Sequence, residues 1–594
     1  MAEVQVGKSG GGKRRRAVVI PPHKAGLRIA LSLIGSLLTA ILAFFFMMPA
    51  INLRDPSFYG YLLLVVGSFC VLLYLLSNAS KQAEFMPWVK RSAMPAIAIV
   101  VAIALFFGMA WVFSSPFFLA RRYHQIMGDY LQELTFVEGI DEVNFARLPK
   151  IDESAARVIA EATLGELIDV VSQFELSQNS TQIVYQGRPV RIFPLAYVDV
   201  IRWVNNTGTG LPGFVMVFMD DETSEFVRLD EGYYIRYTDE EHFFRLLQRR
   251  LRLRYPTYLL GTASFQIDNE RNPYWVVPRM NRTVGLVGGE DVIGVLLVDA
   301  VSGDIVEYSM EDVPEWVDRV FSASLLRQQF NWYGLYGRGF WNSILGQQGV
   351  WQATPDYNYL IQRNDVYMYS GVSAAGGGEN SIIGFILVNQ RTRETHFYQI
   401  AGAAETFARN AAQGAVQAHG WRATHPLLIN VSGHATYFMA LKDNSNIVQG
   451  FAMANVEQFN QINVWAQTTD ANVVVELYLA RLAELGLDVD PDAYPGHETS
   501  VNVNPGTIAE IRQGIVNGTT NLLIRLQGDS AFYQMAVSNS NLYLLLLNVG
   551  DEITVRSAID VEITGNIIPA TSITLGAVVI SPPVDDVEPA QPEE

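Results

Sequence analysis

Cysteine is nearly absent from this chain. Among 594 residues only Cys70 occurs, so no disulfide can form within it. Cys70 lies inside an apolar run and reads as packing rather than as a reactive thiol. The scarcity leaves the redox compartment open, because a cytosolic domain and a disulfide-free envelope domain both fit it. Complete catalytic signatures are lacking too. "GKSGGGKR" near the start has Gly7, Gly12 and Lys13 in the places of a phosphate-binding loop. Arg14 stands where a hydroxyl is required, and no strand precedes it. "GVSAA" has Ala375 where a nucleophile elbow needs its second glycine, so Ser373 reads as a loop residue. His419, His425 and His434 are close in sequence but lack the spacing of a zinc site, and no metal or cofactor is expected. Beyond the basic first 28 residues, acids outnumber bases. The net charge is −18, which argues against general nucleic-acid binding.

Apolar sequence is plentiful. Residues 29–50, 59–77 and 93–115 form three charge-free runs, each about long enough to cross roughly 30 Å of hydrocarbon. The first is too long, and too closely followed by two others, for a cleaved signal peptide. Without charge inside the runs, a transport path is a poor reading. Lys8, Lys13, Arg14, Arg15, Arg16, Lys24 and Arg28 precede the first run, and Lys81, Lys90 and Arg91 lie near the start of the third. Only Arg54, Arg121 and Arg122 flank the opposite side. The bias predicts a basic cytoplasmic tail over 1–28, three transmembrane helices over 29–115 and an extracytoplasmic remainder, in the cell membrane. Beyond the third run, Tyr123, Ile126, Met127, Tyr130, Leu131 and Leu134 follow helical spacing. This predicts an amphipathic connecting helix over 116–148, either packing under the outer domain or dimerising, so that a homo-oligomer through the membrane and connecting helices is open.

The remainder repeats a phrase. "GFVMVFMDDETSEFVRL" (213–229), "IGVLLVDAVSGDIVEY" (293–308) and "IGFILVNQRTRETHFY" (383–398) each join an apolar run through an Asp/Asn and Ser/Thr break to a second β-forming run. "TYFMALKDNSNIVQGFAM" (436–453) reads as a fourth. These are hairpin signals. The recurring oxygens, among them Asp220, Thr223, Glu225, Asp299, Asn389 and Asp443, read as turn caps, with a cation site as the alternative. Helical stretches at 239–254, 310–330 and 404–419 separate the hairpins. The fold class is therefore α+β, with first modules over 149–330 and second modules over 331–490.

"LLVDAVSGDIVEY" resembles the closing hairpin of PepSY-type modules, which implies binding or inhibition rather than catalysis. "RPVRIFPLAYVDVIRW", "NPYWVVPRM", "NWYGLYGRGFWN" and "HPLLINVSGHATYFMALKD" are similar to stretches of poorly characterised bacterial membrane proteins with three N-terminal membrane helices. At the C-terminal end, two β runs flank Asn517-Gly518, a strong hairpin turn, and a third strand, a helix-like "NLYLLLL" and "VGDEITVRSAI" follow. Residues 500–566 thus resemble a small OB-type β-barrel. Its only bases are Arg512, Arg525 and Arg556, against six acids, so a structural or protein-binding use is expected and not nucleic acid. Residues 567–594 read as an acidic disordered tail.

The most unusual stretch interleaves glycines with Trp332, Tyr333, Tyr336, Phe340, Trp341 and Trp351. It is either an aromatic plug between modules or a partner-binding surface. Together these readings predict a membrane-anchored binding or scaffolding protein of a bacterial envelope, with the lipid bilayer and an envelope protein as partners. No catalytic residue can be named. The alternative is an envelope hydrolase or transferase whose site is assembled from distant carboxylates.

Overall fold

A computed structural model describes residues 21–78, 82–128, 130–376, 380–461, 463–487, 489, 501–516, 519–537, 542–558, 567–570, 572–575 and 578–580. The basic residues before Pro21, Lys81, the Asn517-Gly518 turn, residues 377–379 of the Gly-rich loop after Ser373 and the acidic end beyond 580 lie outside them. The chain divides into two compact units. One comprises Met1–Leu119, His242–Leu260 and Arg279–Asp291; the other comprises Ala120–Glu241, Gly261–Pro278 and Val292–Glu594.

The first unit is built on three helices long and apolar enough to span a membrane: α1 (Ala25–Met47), α2 (Pro56–Leu76) and α3 (Met86–Phe113). Small residues let α1 approach α2. Ser36 Oγ donates to Val65 O at 2.7 Å, and a Cβ on Gly35 would collide with Leu72. Asp55 caps α2, accepting from Ser57 N at 2.9 Å. Two segments from much later in the chain belong to this unit. Arg252 donates to Met48 O at 3.0 Å, Arg249 to Phe45 O at 3.2 Å, and Ile51 N to Pro256 O at 2.7 Å. Ser114 Oγ, just after α3, accepts from Leu286 N at 2.9 Å and Val287 N at 3.2 Å. The carbonyls at the C-terminus of α1, left without intrahelical donors, are thus taken by arginines.

Beyond the spans the fold is mixed helix and sheet, and one topology occurs four times. Each module has a helix and five strands, in the sheet order first-third-fourth-fifth, with the second strand also paired to the third. The first module has the helix Glu153–Gly165 and strands Phe174–Leu176, Thr181–Tyr185, Arg188–Tyr197, Gly213–Phe218 and Ser224–Arg228. The second has the helix Leu247–Arg254 and strands Leu259–Leu260, Ser264–Ile267, Pro273–Val284, Gly288–Asp299 and Ile305–Tyr308. The third has the helix Ala323–Tyr336 and strands Trp351–Ala353, Asn358–Gln362, Asp365–Ala374, Gly384–Asn389 and Thr395–Tyr398. The fourth has the helix Glu405–Ala415 and strands Arg422–Ala423, Leu427–Val431, His434–Lys442, Val448–Asn455 and Asn463–Ala466. The fourth strands of the first and third modules hold unbroken apolar runs because they are central and covered on both faces: Phe214, Val215, Met216 and Val217 are all buried, as are Phe385, Ile386, Leu387 and Val388.

The repeated phrase is the hairpin between fourth and fifth strands in the first three modules. Its turn is held alike in each. Phe218 N donates to Thr223 O at 2.8 Å, Asp299 N to Asp304 O at 3.0 Å, and Asn389 N to Glu394 O at 2.9 Å. Asp299 Oδ1 accepts from Val301 N at 2.7 Å, and Asn389 Oδ1 from Arg391 N at 2.8 Å. In the first module the cap is Asp221, accepting from Thr223 N at 3.1 Å, and not Asp220. Asp220 instead grips Arg188 through two bonds of 2.7 and 2.6 Å, and Glu225 pairs with Arg271 at 2.8 Å. The fourth phrase is one hairpin early. It joins the third and fourth strands, while Asn455, accepting from Gln458 N at 2.8 Å, turns the hairpin that corresponds to the others.

Other sequence boundaries shift as well. α4 (Pro116–Gly128) is shorter than the expected 116–148 helix. Leu131–Leu134 is a strand, parallel to Thr395–Tyr398, because pairing with that otherwise open edge replaces helical bonds. Met310–Phe321 is not helical, and the third module's helix starts at its cap Ser322, which accepts from Leu325 N at 3.3 Å. The C-terminal sheet has seven strands. Ile567–Pro569, Ser572–Leu575 and Val578–Ile580, assigned from sequence to the acidic tail, are strands within it. Their β-branched residues carry the pairing, and the acids begin only afterwards.

Candidate functional site

A cleft of about 430 Å³ opens where three modules supply walls. The first module contributes Asp152 and Glu153 at the start of its helix and Arg191 from its third strand. The third contributes the loop Asp356–Tyr357 and Tyr359; the fourth contributes Arg409 from its helix and His425 before its second strand. Each is placed by local chemistry. Asp152 caps its helix, accepting from Ala155 N at 3.0 Å. His425 precedes Pro426, which favours the extended backbone that leads into the strand Leu427–Val431. Asn358 Nδ2 donates to His425 O at 3.3 Å and ties the third module's loop to the fourth.

The walls are charged in pairs. Lys442, nearly buried, donates to Asp152 Oδ1 and Oδ2 at 2.8 and 2.7 Å and to Ser154 Oγ at 2.6 Å. Burial acts to raise the Asp152 pKa, but Lys442, the Ala155 amide and Ser154 outweigh it and hold the carboxyl below its ordinary range. Arg191 pairs with Glu153 at 3.0 Å and donates to Ser180 Oγ at 2.7 Å. Desolvation lowers the Arg191 pKa. Asp356 Oδ2 lies 3.8 Å from Arg409 Nη1 and 3.9 Å from His425 Nδ1.

His425 is the electrostatic exception. Both of its ring nitrogens are buried without a protein hydrogen bond. Desolvation pushes its pKa down to about 4, against the pull of Asp356 and with the push of Arg409, so the imidazole is neutral at pH 7. Behind it the ring of Tyr369 lies 6.4 Å away, fully buried, with desolvation driving its pKa well above the usual phenol value. Glu405 is buried at the start of the fourth module's helix, accepting from Thr354 Oγ1 at 3.2 Å and from Gly371 N. A Cβ at Gly371 would collide with that carboxylate, so any side chain there would displace Glu405. Burial raises the Glu405 pKa.

The aromatic–glycine stretch divides. Trp332 and Tyr336 pack edge-on against Tyr123 at 4.9 and 6.2 Å, and Tyr333 stacks on His124 at 4.4 Å. Trp351 sits among Phe330, Tyr333 and Phe397 at 5.2, 5.5 and 5.0 Å. These four form the packed half, on the helix Ala323–Tyr336 and the strand after it. Phe340 and Trp341 continue into a short turn of π-helix, where Trp341 is 62% exposed. None of the six lines the cleft.

Of the three histidines singled out in the sequence, His419 stacks on Trp421 at 4.6 Å and only His425 reaches the cleft. No three His, Cys, Asp or Glu side chains converge as a metal-holding group among the described residues. Asp356 and Arg409 carried no sequence signal. Neither a family model nor a curated protein sequence matches the chain.

Proposed function

We propose that this chain is a membrane-anchored binding protein of a bacterial envelope, with the modules outside the cytoplasm and the three-module cleft as its binding site. The observation that carries the reading is the electrostatic state of the cleft. Its Asp152 and Glu153 oxygens are engaged by Lys442 and Arg191, while a neutral His425 is held ready to exchange hydrogen bonds with a ligand beside Asp356 and Arg409. The hydrolase reading asks for carboxylates that are free to protonate or to attack. Three carboxylates from two distant parts of the chain, the adjacent Asp152 and Glu153 and the remote Asp356, do line the cleft, but the first two are committed to cations, which favours binding.

The outward placement rests on the bias of flanking bases. It is supported by the first unit, where the α1–α2 connection and the residue after α3 both bond to later segments of the chain. The C-terminal sheet is consistent with an OB-type barrel. Val501–Val516 pairs with both Thr519–Leu526 and Glu552–Ala558, and Phe532–Gln534 runs parallel to Ile567–Pro569. The Asp299-to-Asp304 turn likewise supports the PepSY-like reading of the second module's hairpin.

A photo-crosslinking residue at Tyr357, which lines the cleft, tests the site in intact cells. One ligand species should be captured, and Arg409→Glu should reduce its capture about tenfold or more, the loss of one charge-assisted contact of ~1.4 kcal/mol or greater. Capture that Arg409→Glu leaves unchanged would remove the cleft from consideration. Capture of a chemically cleaved ligand, abolished by Asp356→Asn, would transfer the reading to the hydrolase.

A further inference from the structure

The first module carries an apolar surface that the sequence did not single out. Two short helices, Ile168–Val171 and Val200–Asn206, expose their aliphatic side chains: Ile168 is 84% exposed, Ile201 71%, Val200 60% and Val204 57%. The helices are tied through Gln173, whose backbone carbonyl accepts from Val198 N at 3.4 Å and whose side-chain carbonyl accepts from Asn206 Nδ2 at 3.2 Å. The two helices therefore adjoin, and their exposed aliphatic side chains lie on neighbouring segments. Patches of this kind on a soluble face mark a contact. Charges beside this surface are paired: Arg202 with Asp199, the cap of its helix, and Arg228 with Asp169 at 2.9 Å.

The occupant follows from the chain itself. Trp203, in the same helix, donates its indole N–H to Glu241 at 2.6 Å. Three residues further along, the Phe244 ring packs edge-on to Phe45 at 5.9 Å, and Phe45 lies in the last turn of α1. Phe243 and Phe244 are themselves exposed. At most about 10 Å of extended chain thus separates the partner of Trp203 from a side chain at the mouth of a membrane span. Aliphatic side chains with a Trp at their border suit the headgroup boundary, where the apolar part leaves water and the indole keeps a polar partner. We propose that the face formed by Ile168, Val200, Ile201 and Val204 rests on the lipid bilayer, as an interfacial contact additional to the three spans. It rests on the reading of α1–α3 as a membrane anchor.

The full chain in lipid nanodiscs tests this. Replacing Cys70 by alanine gives a background without thiols, into which Ile201→Cys, Leu37→Cys on the exposed face of α1, or Asn444→Cys in an exposed turn is introduced singly. Each is labelled with a small fluorophore, and quenching by nitroxide-bearing lipids is measured. The label at residue 201 should be quenched at least about twofold more than the label at 444, approaching that at 37. Quenching at 201 equal to that at 444, with 37 quenched, would overturn the contact while leaving the anchor intact. Failure to quench at 37 would bring down the anchor and the contact together. Energy transfer between residue-201 labels on two copies, without lipid quenching, would assign the face to a dimer and overturn the proposal.

Discussion

Asp318 is buried and accepts a hydrogen bond from Val184 N at 2.6 Å. Desolvation pushes its pKa up to about 8, against the Val184 amide and Arg391 and assisted by Asp365. The folded chain therefore holds a proton that the unfolded chain releases above about pH 4. Stability contributed by this group is complete below pH 4 and is lost as pH rises toward 8, by at most about 1.4 kcal/mol per unit. Asp318→Asn keeps the acceptor and removes the titration. Its apparent melting temperature should exceed that of the wild type by more at pH 8 than at pH 5, and equal differences at the two pH values would contradict the assignment. The aromatic stretch separates by residue too. Trp351→Ala removes a ring packed among three others and should cost about 3–5 kcal/mol, whereas Trp341→Ala should stay within about 0.5 kcal/mol of wild type in denaturant melts. Sequence placed these two tryptophans in one class, because composition shows where aromatics cluster but not which of them another element covers.

The repeated hairpin depends on glycine at one register. A Cβ at Gly213, Gly384 or Gly450, each at or near the start of a fourth strand, would collide with the carbonyl of Val227, Tyr398 or Ala466 on the adjoining fifth strand. Alanine at any of the three should destabilise by about 1–3 kcal/mol, since a backbone atom must move. Gly414, in the helix Glu405–Ala415 with open space where its Cβ would go, is the counter-case. Gly414→Ala should stabilise by about 0.5–1 kcal/mol, and equal effects at 414 and 450 would disprove this account of the repeat. Turns of this type were legible because their caps are local: Asp299 and Asn389 bond to amides two and three residues on. The hairpin read at 436–453 forms for the same reason, with Asp443 capping its turn at Ser445 N and Ile447 N, and only its place in the module, one hairpin early, differs from the other three. Leu131–Leu134 could not be read, because its partner strand lies more than 260 residues away and periodicity reports only neighbours.

Across the whole molecule, the spans and the mixed α+β class were legible from long apolar runs and turn chemistry. The cleft was not. Its charged residues come from positions 150, 152, 153, 191, 356 and 409, and only the topology brings them together. The orientation of the chain is open to a direct check. Protease added to spheroplasts should degrade the modules and leave the spans, and protected modules would invert the orientation.

The arginines that close the end of α1 set an order of assembly. Residues 25–113 are synthesised and can enter the bilayer long before Arg249 and Arg252 leave the ribosome. Until then the Phe45 and Met48 carbonyls lack those donors, and the helical turn that will supply them has no platform. Fragments begun after the last span would leave this cationic turn beside bare aromatics, a recipe for aggregation and not for a soluble domain. Equally, a lesion at Arg252 should surface as a biogenesis defect, in chains recognised by quality control before any ligand is met.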